Sequence, residues 1–348
     1  MRILIATVQV PFTSGGAEIH AEQLRNALTS EGHEAEIVSV PFKWYPPERI
    51  LDHILAYRLL VLSESNGSPV DRIIGLKFPA YLISHPNKVL WILHQYRTAY
   101  DLWDTPYNDL IHYPNGLQIR EAIHKIDREL IPEAKAVFAN SRNVTNRLKQ
   151  FCNIESTPLY HPPHNAEHFY VSEPEDYIFY PSRLCPLKRQ SLVLEALALT
   201  RFPVRVCFAG LPDAPEYISE LKDFAHRKKV YHRVKWLGFI SEEEKRRYYS
   251  QAKAVVFPPL DEDYGYVTLE AMLSSKPVIT CTDSGGPLEF IRHEETGLIV
   301  ESTPSALADA FDRIWGNPKI VKSWGEAGRE LYNSMNITWA NVTERLLT

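Results

Sequence analysis

The sequence VVFPPLDEDYGYVTLEAMLSSKPVIT, residues 255–280, carries the clearest fold signal in this chain. It begins with a short run of strand-forming residues, which two prolines end. A loop of acidic residues and Gly265 then leads into a mostly apolar helical segment, and KPVIT starts a second strand. A strand, a helix and a strand in this order predict a βαβ unit, whose two strands lie parallel in one sheet.

The same alternation continues in both directions from this unit. Amphipathic segments between the strands predict helices at residues 17–32, 47–63, 116–131 and 141–151, and a wholly helical tail from residue 304. The predicted strands are RILIATVQV, AEIVSV, DRIIGL, KVLWIL, AKAVFA, DYIFYPSR, VRVCFAG, HRVKWLG, AKAVVFP, KPVITC and TGLIV. Strands that alternate with helices of this length predict an α/β protein with parallel sheets covered on both faces.

The alternation breaks at residues 156–176, where prolines, histidines and acids crowd together without periodicity. This composition predicts a linker, and 348 residues are more than one ordinary core supports. We therefore predict two doubly wound domains, residues 1–168 and 169–330, followed by a C-terminal helical segment, residues 331–348. Ligands of such sheets bind outside the carboxyl ends of the strands, so the loops after strands hold the candidate site residues.

Composition excludes several classes of protein. The net charge is −5 with acids and bases interleaved, which argues against a nucleic-acid partner. The four cysteines lack paired spacing, which argues against zinc sites and a disulfide framework and favours a reducing compartment. The apolar run at residues 3–10 is too short to span a membrane. We expect a cytoplasmic protein.

Two loops carry residues suited to an anion. Arg183 and Lys188 follow the first strand of the second domain, where two cations would neutralise a departing diphosphate. A solvated basic loop is the alternative interpretation. Gly15 and Gly16 open the first helix, where the backbone can approach an anion closely and the helix N-terminus attracts it. Here the alternative is an ordinary turn.

Two carboxylates lie in the loop and helix quoted first. Glu262 and Glu270 are separated by seven residues, with Gly265 between them. Each carboxylate can accept two hydroxyl hydrogen bonds, which suits a sugar or a ribose diol. The alternative is a helix with acidic residues near its N-terminus, an arrangement that the helix dipole favours by itself.

The pattern FPPxxExYGxxxxEAM, followed by KPVI, resembles the signature of the family 4 glycosyltransferases. Further segments occur in the order that this family shows: GGAE after the first strand, SRLxxxK at the start of the second domain, LGF, and then GGPLEFI and TGLIV. The resemblance implies the GT-B fold, two Rossmann-like domains that face a central cleft, with a C-terminal helix that crosses back to the first domain. It also implies retaining transfer of a sugar from a nucleotide diphosphate donor, without a metal or cofactor.

The resemblance also implies residue roles. Arg183 and Lys188 match the family's contacts to the donor pyrophosphate, Glu262 the acid that binds donor-sugar hydroxyls, and Glu270 the acid that holds the ribose. His94 matches a histidine near the donor sugar and acceptor, where we expect it to orient the sugar rather than act as a general base. The alternative is a structural histidine at a strand end. The implied donor-binding residues are Gly15, Gly16, Gly238, Phe239, Ile240, Tyr264, Gly265, Tyr266, Val267 and Glu270.

Some features depart from the family or compete with it. Asp261-Glu262-Asp263 matches the DxD metal signature of the other large glycosyltransferase fold, but it lies late in the chain and inside the loop with Glu262, so we predict no metal there. Asp263 and Tyr264 replace residues common in the family, which leaves the donor sugar open.

We predict hexose transfer from UDP-glucose to a saccharide or lipid-linked saccharide acceptor in polysaccharide biosynthesis, with loose attachment to the inner face of the membrane. Residues 41–47 and 96–113 of the first domain are the expected acceptor region. The alternatives are a sugar-nucleotide epimerase of the same fold and a non-catalytic sugar-nucleotide-binding subunit.

Overall fold

The computed structural model describes residues 1–12 and 15–348. The chain forms two α/β units, one made of Met1–His164 with Thr338–Thr348 and the other of Asn165–Ile337. The predicted boundaries at residues 168 and 331 lie a few residues from these. No helix in the described part of the chain is long and apolar enough to cross a membrane.

The first unit is built on a parallel sheet. Its strands are β1 (Arg2–Gln9), β2 (Glu34–Pro41), β3 (Glu64–Ser65), β4 (Ser68–Pro69), β5 (Arg72–Gly75), β6 (Lys88–Ile92), β7 (Ala136–Ala139) and β8 (Thr157–Pro158). The helices between them are α1 (Gly16–Ser30), α2 (Glu48–Leu59), α3 (Gly116–Leu130) and α4 (Arg142–Cys152). Short 3₁₀ helices lie at Ala80–Leu82, Arg97–Ala99, Leu110–His112 and Ile131–Glu133.

Six strands of this unit pair in the order β2-β1-β5-β6-β7-β8, all parallel, while β3 and β4 form a separate antiparallel hairpin. Every residue of β5 and of β6 is buried, as expected for central strands covered on both faces. The strands and helices predicted for this half of the sequence are therefore present, with ends that differ by a few residues.

The second unit repeats the architecture. Its strands are β9 (Ile178–Pro181), β10 (Val206–Ala209), β11 (Val234–Gly238), β12 (Ala254–Val256), β13 (Val278–Cys281) and β14 (Gly297–Val300). Its helices are α5 (Gln190–Leu199), α6 (Pro215–Arg227), α7 (Glu242–Gln251), α8 (Tyr266–Leu273), α9 (Pro304–Trp315) and α10 (Pro318–Ser334). Its 3₁₀ helices are Ala166–His168, Pro186–Lys188, Tyr231–Arg233 and Gly286–Glu289.

The second sheet is parallel throughout, in the order β11-β10-β9-β12-β13-β14. The first strand of the unit, β9, thus lies between β10 and β12, and the chain order reverses at β9 and β12. This is the switch point at which doubly wound sheets bind ligands.

The last helix, α11 (Trp339–Leu347), belongs to the first unit. Val342 and Leu346 are fully buried in a core cluster with Leu24 and Leu28 of α1. Arg72 fastens the end of the helix, since its Nη1 donates to the Leu346 carbonyl at 2.6 Å. The helical tail is confirmed as three helices, of which only α11 packs in the first unit.

One expectation was only partly right: the boundary between the two units, between His164 and Asn165, falls inside the predicted linker, but the first part of that segment is not a linker. The segment predicted to be a linker contains β8, which pairs with β7 at the edge of the first sheet. Beyond β8, the Leu159 carbonyl accepts from the Trp91 indole at 3.1 Å, and His161 is fully buried. The chain at this point is therefore part of the first core, because contacts with residues far away in sequence stabilise a segment that has no periodicity of its own.

Candidate active site

The loops after β9 and β12 meet at the switch point of the second sheet. Leu260, in the loop after β12, donates its backbone N–H to the Leu187 carbonyl at 2.8 Å. Two stretches of chain more than 70 residues apart in sequence therefore form one surface at the carboxyl ends of neighbouring strands. The predicted site residues Lys188 and Glu262 both lie on it.

Lys188 and Glu262 form an ion pair through the ammonium Nζ and the carboxylate Oε2. Both side chains are mostly buried, with 12% of Lys188 and 23% of Glu262 exposed. The Lys188 ammonium also lies 5.3 Å from the centre of the Phe257 ring, a cation–π arrangement. The site therefore offers a cation and a carboxylate side by side. Because little water reaches them, the electrostatic interactions of both groups are stronger than they would be at the surface.

Backbone hydrogen bonds hold the Glu262 loop against the loop after β13. Glu262 donates its N–H to the Ser284 carbonyl at 2.9 Å, and its own carbonyl accepts from Gly286 at 2.7 Å. Arg189 adds a bidentate ion pair to the Asp283 carboxylate, with both N–O distances 2.7 Å. Both backbone hydrogen-bonding groups of Glu262 are thus held by one neighbouring loop, which fixes the position from which its side chain extends towards Lys188.

Helix α8 begins at this surface. Gly265 precedes the helix with φ of 84°, a left-handed conformation that side chains disfavour. A Cβ at this position would also lie 2.9 Å from the Pro287 side chain. Tyr264 is buried and meets the Tyr266 ring edge-on at a centroid distance of 5.1 Å. The helix N-terminus that follows Glu262 carries the partial positive charge that favours a phosphate.

Glu270, inside α8, is held by two residues of α7. Its Oε1 accepts from Lys245 Nζ at 2.9 Å, and its Oε2 accepts from the Tyr249 hydroxyl at 2.7 Å. Burial by itself would lower the pKa of Lys245, but the carboxylates of Glu270 and Glu242 outweigh it and raise that pKa above its ordinary value. Nothing in the sequence of α7 pointed to these partners, because they belong to no motif.

Arg183 stands apart from this pair. Its guanidinium is mostly exposed and forms a 2.8 Å ion pair with Asp213, which follows β10. Gly238 ends β11, and its carbonyl accepts from Gly210 at 2.8 Å. The next residue, Phe239, leaves 77% of its side chain exposed. The structure therefore brings Lys188 and Glu262 together. Arg183 and the segment that starts at Gly238 lie in other loops at the same carboxyl ends of the strands.

The remaining predicted residues lie in the first unit. His94 follows β6, and its Nδ1 donates to the Gln95 carbonyl at 2.6 Å. Gly15 precedes α1 in an extended conformation, and its N–H donates to the Glu18 carboxylate at 2.9 Å. Gly16 is the first residue of that helix. The functional roles of all these residues stay predictions.

Across residues 1–12 and 15–348, no three histidine, cysteine, aspartate or glutamate residues group as metal ligands. The middle residue of the DxD-like sequence, Glu262, instead pairs with Lys188. The four cysteines are all free and buried.

Similarities to known proteins cover the whole chain. Residues 165–331 match the family described as glycosyl transferases group 1. An uncharacterised glycosyltransferase of Methanocaldococcus jannaschii is 24% identical, with 99% of this chain and 96% of the relative covered. An alpha-1,3/1,6-mannosyltransferase of Dictyostelium discoideum is 34% identical over 36% of this chain and 29% of its own length. The crystal structure of Anabaena HepE in complex with UDP-glucose has a TM-score of 0.73 at 16% identity, with 100% of this chain and 98% of that chain covered.

Proposed function

We propose that this chain, whose residues 165–331 match the group 1 glycosyl transferases and whose fold is GT-B, transfers a hexose with retention of anomeric configuration and without a metal. The donor is a nucleoside diphosphate sugar, and UDP-glucose is our first candidate. The acceptor is a saccharide or a lipid-linked saccharide in polysaccharide biosynthesis.

The observation that carries this proposal is the contact between Lys188 and Glu262 at the switch point of the second sheet. A diphosphate bound at Lys188 would replace the carboxylate as partner of the ammonium. Glu262 would then accept hydrogen bonds from the hydroxyls of a sugar attached to that diphosphate. The two residues thus match the two halves of a sugar nucleotide, an anion and a polyol.

The reaction breaks the bond between the anomeric carbon and the diphosphate oxygen, whose electron pair leaves with the nucleotide. Lys188, Arg183 and the N-terminus of α8 stabilise the negative charge that develops on this oxygen. The acceptor hydroxyl attacks the anomeric carbon from the face that the diphosphate leaves. Its proton passes to the departing phosphate oxygen. Cationic side chains and helix N-termini thereby supply what a metal supplies in other transferases.

UDP-glucose as donor rests on indirect support. The HepE structure, which shares the fold, was solved with UDP-glucose bound. The mannosyltransferase relative supports a mannosyl donor instead, although it matches only about a third of this chain. Glu270, buried beside Lys245 and Tyr249, is the proposed ligand of the donor's ribose. The exposed Phe239 ring after β11 is suited to stack on the donor's nucleobase.

For the acceptor we propose the strand ends of the first unit, where aromatic residues are concentrated. Phe42, Phe78 and Tyr96 form a cluster with centroid distances of 5.4 to 6.4 Å. Trp44 contacts Phe42 at 6.3 Å and leaves 36% of its side chain exposed. Exposed aromatic faces of this kind bind the apolar faces of sugar rings. A lipid-linked acceptor would bring the protein to the inner face of the cytoplasmic membrane.

A nucleotide screen tests the donor site. Thermal unfolding is followed with UDP, GDP, ADP, dTDP or CMP in the presence of EDTA, and then with the sugar nucleotides of whichever base binds. UDP at a hundredfold over its Kd should add about 2.7 kcal/mol of stability and raise Tm by a few degrees. A larger shift with GDP would transfer the proposal to a mannosyl donor, and no shift with any nucleotide would contradict the donor site.

Retention and metal independence can be tested without the natural acceptor, since water can act as acceptor. Proton NMR during hydrolysis of UDP-glucose should detect α-glucose first, before mutarotation, at equal rates with and without EDTA. Initial β-glucose would contradict retention. Activity that needs added manganese would contradict the metal-free site. Conversion to another sugar nucleotide, without release of UDP, would support the epimerase, and binding without any turnover would support the non-catalytic subunit.

A further inference from the structure

A carboxylate is buried in the core of the first unit. Asp127 of α3 is fully buried and accepts hydrogen bonds from three side chains. The Tyr100 hydroxyl donates at 2.8 Å, the Tyr81 hydroxyl at 3.0 Å and the Gln95 amide Nε2 at 3.3 Å. A buried carboxylate costs stability unless donors surround it, so this one has been placed where three donors converge.

One of these donors leads directly to a proposed site residue. Gln95 follows His94 in the loop after β6, and its backbone carbonyl accepts from His94 Nδ1 at 2.6 Å. A carbonyl can only accept, so this hydrogen bond places a proton on Nδ1. In the neutral ring Nε2 is then the unprotonated nitrogen. Gln95 therefore connects the His94 ring to Asp127: its backbone carbonyl binds the ring, and its side-chain amide binds the carboxylate.

Burial and hydrogen bonding act on the pKa of Asp127 in opposite directions. Burial raises the pKa of its carboxyl to about 6, in spite of the hydrogen bonds from Tyr100, Gln95 and Tyr81, which lower it. An ionised carboxylate is a pure acceptor, which suits three donors. The other ionisable groups around this cluster are Cys152, whose Sγ lies 3.2 Å from Gln95 Nε2, His124, which stacks on Tyr100, and Arg128.

We propose that Asp127 is a positioning residue, which holds Gln95 and thereby fixes the orientation and tautomer of His94 at the acceptor side of the reaction. This inference rests on the proposed function of His94. The Gln95 amide anchors the loop after β6 to α3, so the carbonyl that binds the histidine ring cannot rotate freely. A displacement of about 1 Å at a catalytic group can cost up to a hundredfold in rate.

The first test is a double-mutant cycle on donor turnover, measured as UDP release from UDP-glucose. Asp127→Asn removes the charge, while Gln95→Met removes the amide and keeps the backbone carbonyl. Each should lower kcat about tenfold or more without changing the affinity for UDP. Because both substitutions break the same hydrogen bond between Gln95 and Asp127, the double variant should be no slower than the slower single variant. Gln118→Met, on the exposed face of the same helix, is the matched control.

The second test reads the histidine directly and needs no activity. Nitrogen-15 NMR should find the His94 Nδ1 protonated in the unaltered protein, with the resonance assigned by its loss in His94→Gln. In Asp127→Asn and Gln95→Met the ring should shift toward a mixture of tautomers. In Gln118→Met it should keep its signal.

The outcomes separate the two proposals. Unchanged kcat and an unchanged His94 tautomer in both variants would overturn the positioning role, as would losses that multiply in the double variant. If Asp127→Asn does not fold, Gln95→Met carries the test alone. If the unaltered protein neither binds nor hydrolyses any sugar nucleotide, the proposed function fails, while the tautomer measurement still decides whether Asp127 positions His94.

Discussion

Lys188 and Glu262 form an ion pair, so a ligand that binds one of them must compete with the other. A diphosphate that takes the ammonium frees the carboxylate for sugar hydroxyls, so binding of the two halves of a donor is coupled through one contact. The coupling also means that removal of either side chain leaves a poorly solvated charge on the other.

Replacement of Lys188 by alanine should lower turnover by about 10²- to 10³-fold, because a donor to the developing phosphate charge is lost. Glu262→Ala should cause a loss of similar size. The measurement is kcat for UDP release, with circular dichroism to establish folding. Arg313→Ala is the control, since Arg313 pairs with Glu294 on an exposed surface of the same unit and should leave kcat unchanged. Near-normal turnover in Lys188→Ala would remove this residue from the site.

Glu270 and Glu242 offer a matched pair, because both carboxylates contact the ammonium of Lys245. Glu270 is 8% exposed at its side chain and also accepts from Tyr249, whereas Glu242 is 47% exposed. Glu270→Ala should therefore lower the free energy of unfolding by about 1–3 kcal/mol. Glu242→Ala should cost less than about 1 kcal/mol. Urea denaturation measures both, and equal losses would show that burial does not set the strength of these contacts.

Among the elements, α8 is the one that the site depends on most. It begins directly after the Glu262 loop, carries Glu270, and is entered through Gly265 in a left-handed conformation. Eight residues make it short, so its position depends on tertiary packing more than on helix propensity. At the start of the helix, Gly265 lies so close to Pro287 that no Cβ would fit between them.

Gly265→Ala should therefore destabilise the protein more than a comparable change elsewhere. A left-handed alanine alone costs about 1–2 kcal/mol, and here the new Cβ would also press on Pro287 at 2.9 Å. Gly238→Ala is the control, because Gly238 has φ of 64° and a methyl group added there would meet no atom of the described residues within 4 Å. The free energy of unfolding, from urea denaturation, should fall further in Gly265→Ala. A smaller loss than in Gly238→Ala would contradict the role of this contact.

At the scale of the whole molecule, both ends of the chain share one core. In the first unit His20 of α1 contacts His161 at 2.9 Å between Nδ1 and Nε2, and both rings lie against Trp91 of β6 and Trp339 of α11. Burial lowers the pKa of His20 to about 3. Burial, with the repulsion that a proton on His20 would exert, lowers the pKa of His161 well below its ordinary value. The folded chain thus keeps both rings neutral.

Acid should consequently destabilise the first unit. Below about pH 6.5 the unfolded chain protonates these histidines and the folded chain does not, so stability rises with pH in this range. Each histidine should cost about 1 kcal/mol of unfolding free energy between pH 7 and pH 5.5. His20→Gln should flatten this slope relative to the unaltered protein, while His232→Gln, at an exposed position, should not. An equal slope in all three proteins would exclude the buried pair as the cause.

The sequence by itself determined the order of strands and helices, the two parallel sheets and the loops that hold Lys188, Glu262 and Glu270. These features depend on local periodicity, turn residues and positions after strands, all of which neighbouring residues encode. What only the tertiary structure decided were contacts between distant segments. Examples are the adjacency of β9 and β12 that joins Lys188 to Glu262, the support of Glu270 by Lys245, and the anchoring of Gln95 by Asp127. The physical reason is that strand order and burial follow from the packing of whole elements against one another. A segment as short as β8, or a single buried side chain, is too small to show a hydrophobic period, so the sequence around it does not reveal its place in the fold.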